Sequence, residues 1–144
     1  MRLLAVVVML SALIGCSGRS DPAPAPIYDT CFSVDDCVEA ATRCEELSVE
    51  FGGFVYENAI CTTECATEGP VSPDCSRAYI GRQGSCYPAS VAGGIDDTPI
   101  CFEPCDTDLD CLFGFRCLTA VDLCGADTSC PIAMNDAICV PGQP

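Results

Sequence analysis

Fourteen of the fifteen cysteines in this 144-residue chain lie between Cys31 and Cys139. Thiols at that density either pair as disulfides in an oxidising compartment or hold zinc in a reducing one. Zinc is disfavoured, because the chain has no histidine and no tight Cys-x2-Cys pair. A disulfide framework remains, and a cysteine content above about 8–10 % in a short exported chain is its compositional mark.

The same composition removes most catalytic chemistry. With neither histidine nor lysine, no serine has a conventional general base beside it, and cysteines committed to disulfides are not nucleophiles. The acid pairs Asp35-Asp36, Glu45-Glu46 and Asp96-Asp97 remain, but a two-carboxylate glycosidase needs a far larger cleft. The chain therefore reads as a non-enzyme, with no cofactor and no evident small-molecule substrate. Asp106, Asp108 and Asp110 alternate as calcium ligands do. The full calcium-loop pattern fails, since Cys111 stands where the turn glycine belongs and Cys117 where the bidentate glutamate belongs. These three carboxylates are kept only as a weak metal candidate. A formal net charge of −15 repels nucleic acid and anionic headgroups. It suits solubility first and a basic protein partner second.

The front of the chain supplies the export that disulfides need. Arg2 is followed by a mostly apolar run over residues 3–14, a signal-peptide profile too short for a comfortable membrane span. At its end, Leu13-Ile14-Gly15-Cys16 resembles the bacterial lipobox. That resemblance implies cleavage before Cys16, with residues 1–15 as signal peptide and a diacylglyceryl thioether and acylated amine on Cys16. More than one acyl chain makes the anchoring stable. Ser17 is not the aspartate of inner-membrane retention, so the resemblance favours the outer membrane and leaves its periplasmic or surface face open. Parity agrees, because giving Cys16 to lipid leaves an even number of thiols. Residues 16–30 then form anchor and tether, in which Asp21-Pro22-Ala23-Pro24-Ala25-Pro26 is extended at about 3 Å per residue.

From 31 to 144 the cysteines fall into three sets of four: Cys31, Cys37, Cys44, Cys61; Cys65, Cys75, Cys86, Cys101; and Cys105, Cys111, Cys117, Cys139, with Cys124 and Cys130 inserted in the last. An aspartate precedes the second cysteine of each set (Asp36, Asp74, Asp110) and an isoleucine the fourth (Ile60, Ile100, Ile138). Recurrence at this period marks repeated structural units, here residues 31–61, 65–101 and 105–139. The expected fold is small and disulfide-rich, with three tandem units, each a short helix or turn plus a small β-hairpin, and little regular core.

In the first unit, Ser33 followed by Asp36 reads as a capped start to a helix that would put Cys37, Ala40, Ala41, Cys44 and Leu47 on one face. The segment from Val49 to Glu57 reads as a hairpin around Gly52-Gly53, with Phe51 facing Phe54 and Val49 facing Tyr56. That apolar stripe is core by default and an aromatic binding patch otherwise. A weaker hairpin is expected at Ser90-Val91-Ala92 against Ile95, and the segments around Gly69-Pro70, Ser72-Pro73 and Gly81 are expected as surface loops. Leu112, Phe113 and Phe115 are expected to plug the core of the third unit. The helix would hold Cys37 and Cys44 about 10 Å apart, too far to bond, and leaves two of the three patterns for the first unit. First-with-third and second-with-fourth pairing is preferred throughout, because it ties helix to hairpin. That gives Cys31–Cys44, Cys37–Cys61, Cys65–Cys86, Cys75–Cys101, Cys105–Cys117 and Cys111–Cys139, with Cys124–Cys130 closing a small loop.

The whole pattern resembles the short cysteine-rich lipoproteins and secreted proteins of GC-rich Gram-negative bacteria, and loosely the animal colipase and EB modules. The resemblance implies no activity. The expected role is a non-enzymatic interaction or structural module on the cell envelope, held to the membrane by lipid on Cys16. Two alternatives are an inhibitor-like module that blocks a protease with Gly125 to Ser129 or Gly69 to Pro73, and a weak calcium-binding surface module.

Overall fold

Alternation of apolar and polar residues over Glu46 to Phe51, closed by two glycines, builds the first hairpin. Strand β1 (Arg43–Phe51) pairs antiparallel with β2 (Phe54–Thr62), Phe51 against Phe54 and Val49 against Tyr56. Gly52 and Gly53 have φ of 62° and 81°, the positive values that a primed two-residue turn requires. A computed structural model provides this structure and describes residues 26–143 apart from 126 and 128. The expected signal peptide, Cys16 and most of the expected tether lie outside the described residues.

Two further hairpins follow. Strand β3 (Ser85–Pro88) pairs with β4 (Pro99–Phe102), and β5 (Phe115–Thr119) with β6 (Ala137–Pro141). A short helix α1 (Ala120–Cys124) sits between the last two strands. The fold is thus three tandem units, each a turn or short helix with a two-stranded hairpin. One apolar cluster takes residues from all three, with Leu47, Val49 and Ile60 against Tyr87, Ile100 and Phe102 and against Phe115, Leu118, Ile138 and Val140. The isoleucine before each fourth cysteine is buried in it.

Seven disulfides hold the chain. Within each set the first cysteine bonds the third and the second bonds the fourth, at Cα separations of 5.4–6.1 Å. Cys124 bonds Cys130. A second recurrent bond explains the aspartates. Asp36 Oδ2 accepts the N–H groups of Phe32 and Ser33 at 3.0 and 2.8 Å, Asp74 Oδ2 those of Ala66 and Thr67 at 3.0 and 2.8 Å, and Asp110 Oδ2 those of Asp106 and Thr107, both at 2.9 Å. In every unit the carboxylate therefore closes the loop between first and second cysteine by satisfying backbone donors that nothing else caps.

Several expectations are corrected. No helix spans Cys37 to Leu47. The Ser33–Asp36 cap starts a single 3-10 turn, Val34–Asp36, and Cys37 is already extended. Its bond to Cys61 and that of Cys44 to Cys31 draw the segment onto β2, and the twofold alternation of Glu45, Leu47 and Val49 wins over the helical spacing. The hairpin expected at residues 90–95 is instead a 3-10 turn, Ala89–Ala92, with Gly93 left-handed at φ 72°. Phe115 is buried, but Phe113 is 97 % exposed and Leu112 partly exposed, so only one of the three plugs the core. The stretch around Gly69 and Ser72 is not a free loop: Gly69 exchanges both backbone bonds with Cys86 at 2.9 Å, and Ser72 is fully buried. Packing also begins before Cys31, because Tyr28 is buried and its hydroxyl donates to the Ser76 carbonyl at 2.9 Å. The last residues of the expected tether therefore belong to the domain.

Gly93 is the tightest joint between the first two units. A Cβ there would overlap the Ser48 carbonyl oxygen of β1. Gly93→Ala is expected to cost about 1–3 kcal/mol in denaturant unfolding, through overpacking at a left-handed residue. Serine replacement of Cys111 with Cys139, 28 residues apart, is expected to lower stability by about 3–4 kcal/mol. The Cys124 and Cys130 pair, 6 apart, should cost about 2 kcal/mol, because it closes a shorter loop. Paired denaturant midpoints of the oxidised proteins check this ordering.

Candidate functional site

The side chains with chemistry are sulfur and carboxylate, and the fold commits most of them to structure. Three groups of three cysteines, Cys31/Cys37/Cys61, Cys65/Cys75/Cys101 and Cys105/Cys111/Cys139, bring their sulfur atoms close enough to share an ion. All of these sulfurs are in disulfides and so lack the thiolate that a metal needs.

The carboxylates proposed for calcium are engaged one by one. Asp106 pairs with Arg82 at 2.7 Å. Asp108 accepts the Cys117 N–H at 2.9 Å and faces Arg116 at 3.6 Å. Asp110 caps its turn. The arrangement spreads them among three separate partners. Donation from the Asp106 and Thr107 N–H groups holds the Asp110 carboxyl below the usual range, and the Thr67 and Ala66 N–H groups do the same for Asp74. The acid pairs are divided likewise. Glu45 is buried against Arg43 at 2.7 Å while Glu46 faces out. Asp36 is a cap beside exposed Asp35. Asp96 pairs with Arg43 at 3.6 Å and Asp97 accepts from Ser90 Oγ.

Two buried acids were not singled out by the sequence. Asp136 lies between the second and third units, where its Oδ2 accepts from Tyr87 OH at 2.8 Å and Ser85 Oγ at 3.2 Å. Glu103, in the connection between those units, accepts the Tyr79 N–H at 3.2 Å. Burial raises the Glu103 carboxyl above its usual range. The Tyr79 N–H opposes that shift, and the charges of Asp110 and Asp29 reinforce it. Both acids are engaged by these contacts inside the fold.

Of the two loops considered for blocking a protease, Gly69 to Pro73 is laid along β3. Ser72 N–H donates to the Gly84 carbonyl at 2.9 Å and Ser85 Oγ to that of Pro70 at 3.0 Å, leaving Val71 exposed. The loop from Gly125 to Ser129 lies partly outside the described residues. The aromatic stripe of the first hairpin is split: Val49 is buried, Phe51 packs on the core under Arg116 at 5.0 Å, and Phe54 is exposed at the tip.

A hollow of about 560 Å3 lies between α1 and Ile132, and another feature with the shape of a site is on the outward face of the first hairpin. A cavity of about 490 Å3, open to solvent, has Glu46, Ser48, Glu57 and Ala59 as its floor, with Phe32 and Ile95 among its walls. Sequence reading missed it, because Ile95 comes from the second unit and is brought there by the Gly93 contact. Only Phe32, a large apolar residue in an acidic turn, could have hinted at it.

Comparison with protein-family models, with curated proteins and with solved structures finds no match. The class defined is a small disulfide-rich module of three hairpin units.

Because the Glu103 carboxyl titrates higher folded than unfolded, the acid form is the better fit. Its contribution is fully present below the ordinary carboxylate value and is lost as pH rises through the raised one. Glu103→Gln is expected to make the protein more stable than the parent at neutral pH, with the difference vanishing below about pH 4. Asp74 and Asp110 act in the opposite sense. Their stabilisation is present above the ordinary value and lost as pH falls through their lowered ones, so both proteins should weaken together in strong acid. Thermal unfolding across that window measures both effects.

Proposed function

We propose that the chain is an exported, lipid-anchored protein of the bacterial envelope whose stapled domain serves as a non-enzymatic interaction module. The observation that carries this reading is the complete pairing of the fourteen cysteines from Cys31 to Cys139. Pairing of that extent needs an oxidising compartment, and it leaves Cys16 as the odd thiol, at the end of an apolar run in Leu13-Ile14-Gly15-Cys16. Among the described residues no helix is long and apolar enough to cross a membrane, so lipid on Cys16 is the proposed attachment, at the outer membrane by the identity of Ser17. With every described thiol oxidised and no histidine or lysine in the chain, recognition rather than catalysis is the role these side chains suit.

A second reading has one observation in its favour. Val71 stands out from a segment fastened on both sides to β3, as a rigid inhibitory loop presents its single anchor side chain to a protease. Inhibition assays against secreted proteases decide it: no inhibition by the oxidised protein removes this reading. The calcium reading would require Asp106 and Asp108 to leave their arginine partners, and calorimetric titration without heat removes it.

Cys16→Ser is expected to move the protein from the membrane to the soluble fraction and to abolish labelling by a radioactive fatty acid, while the seven disulfides stay intact by mass. Unchanged membrane association and labelling would overturn the anchor.

A further inference from the structure

We propose that the outward face of the first hairpin is a docking site for an extended segment of a partner protein that carries basic and apolar side chains together on one face, at every second residue. This rests on the reading of the domain as an interaction module, and names the place and the chemistry of the contact.

The floor is acidic by register. Glu46 lies opposite Ala59 and Ser48 opposite Glu57, so Glu46 and Glu57 are diagonal neighbours on one face, within reach of a single cationic side chain or two adjacent ones. Among the described residues the ion pairs of Arg43, Arg82 and Arg116 go to Glu45, Glu64, Asp96, Asp106 and Asp108, and none reaches these two glutamates. The walls are apolar. Phe32 is 102 % exposed and Ile95 85 % exposed, which for side chains of that size is a cost that a covering partner relieves.

Both walls are fixed in place before anything binds. Cys31 is bonded to Cys44 of β1, and the Phe32 N–H is held by Asp36 Oδ2 at 3.0 Å. Ile95 lies two residues after Gly93, which is seated on the Ser48 carbonyl. Backbone this constrained needs no reordering when the two side chains are covered.

The chemistry of the two parts selects the occupant. A bare cation would satisfy the glutamates and leave Phe32 and Ile95 in water. An apolar ligand would cover the walls and strip water from the carboxylates without replacing it. A second copy of this chain brings the same acidic field, its net charge being −15 with no lysine, and is repelled. A strand or loop carrying arginine or lysine between leucine-like residues meets both requirements.

The test uses the oxidised full-length protein in detergent and the fluorescein-labelled heptapeptide Leu-Ser-Arg-Ser-Arg-Ser-Leu, which when extended puts its leucines and arginines on one face. Fluorescence anisotropy is expected to show saturable binding that weakens strongly in about 0.5 M sodium chloride, where exposed charges are screened within a few ångströms. Glu46→Gln with Glu57→Gln, and separately Phe32→Ser with Ile95→Ser, should each weaken it about tenfold. Tyr79→Ser, an exposed side chain on the second unit, should leave it unchanged. All four groove side chains are exposed, and an unaltered denaturant midpoint shows that these variants stay folded. Equal binding by the groove variants overturns the site, as does equal binding of a peptide with serine for leucine, or no saturable binding. Chemical cross-linking in envelope extracts separates the two levels. Partners captured equally by wild type and groove variant leave the interaction module standing and overturn the groove, whereas capture by neither overturns both.

Discussion

The structure depends on one covalent arrangement, repeated three times, in which neighbouring cysteines of a hairpin decline to bond each other. Cys44 faces Cys61 across the ladder, Cys86 faces Cys101, and Cys117 faces Cys139. Joining each facing pair would merely staple a hairpin that the backbone has already closed. Instead both reach to the incoming segment, the third cysteine to the first and the fourth to the second. A turn with no strand of its own is thereby riveted to both strands of the sheet behind it. The aspartate before the second cysteine makes this geometry possible, since its carboxylate holds the first two N–H groups of that turn and shapes it for two crossings. Backbone continues the pattern: Thr30 bridges Ile60, Glu64 bridges Ile100, and Pro104 bridges Ile138, so the residue before each first cysteine already lies beside the strand that its unit will close.

That arrangement changes what the acidic side chains are for. In an ordinary domain an excess of carboxylates is spread over the surface as solubilising charge. Here a share of them is structural. Asp36, Asp74 and Asp110 cap turns. Glu45, Glu64 and Asp96 surround Arg43 and tie β1 to the second unit. Asp108 joins Arg116, which also lies over Phe51. The described arginines are consumed inside this lattice, with Arg77 turned onto the Gly81 carbonyl. What faces solvent is consequently more negative than mixed.

How much was legible follows from how local each signal is. The Gly52-Gly53 turn and its register could be read from nine residues, because the turn type demands positive φ and the strand period sets the rest. The three cysteine sets, their aspartates and their isoleucines were readable as recurrence, although the reason for the aspartate, two N–H groups back near the first cysteine, was not. The segment from Cys37 to Leu47 was misread because small residues at helical spacing and a good cap agree on a helix locally. Only the bonds to Cys31 and Cys61 overrule them. Gly93-Gly94 resembled Gly52-Gly53 in sequence, yet the first glycine of the later pair is shaped by Ser48, some forty-five residues earlier. The cavity beside Phe32 was invisible for the same reason, being assembled from two units whose contact no local pattern encodes.

Covalent closure also alters the meaning of an exposed apolar residue. In a domain held by burial alone, Phe113, Leu109, Tyr79, Phe32 and Ile95 standing in water would subtract from a marginal stability. Where crossed disulfides already restrict the unfolded chain, that penalty is tolerable, and exposure by itself says little about binding. The useful distinction lies in how each side chain is mounted. Phe32 is one residue from a disulfide and on a capped N–H, and Ile95 is two residues from a glycine seated on a neighbouring strand. Rigid mounting next to uncompensated carboxylates separates this pair from the other exposed apolar residues. In such a protein the stapling that makes the fold is also what can turn surplus surface hydrophobicity into a preorganised contact.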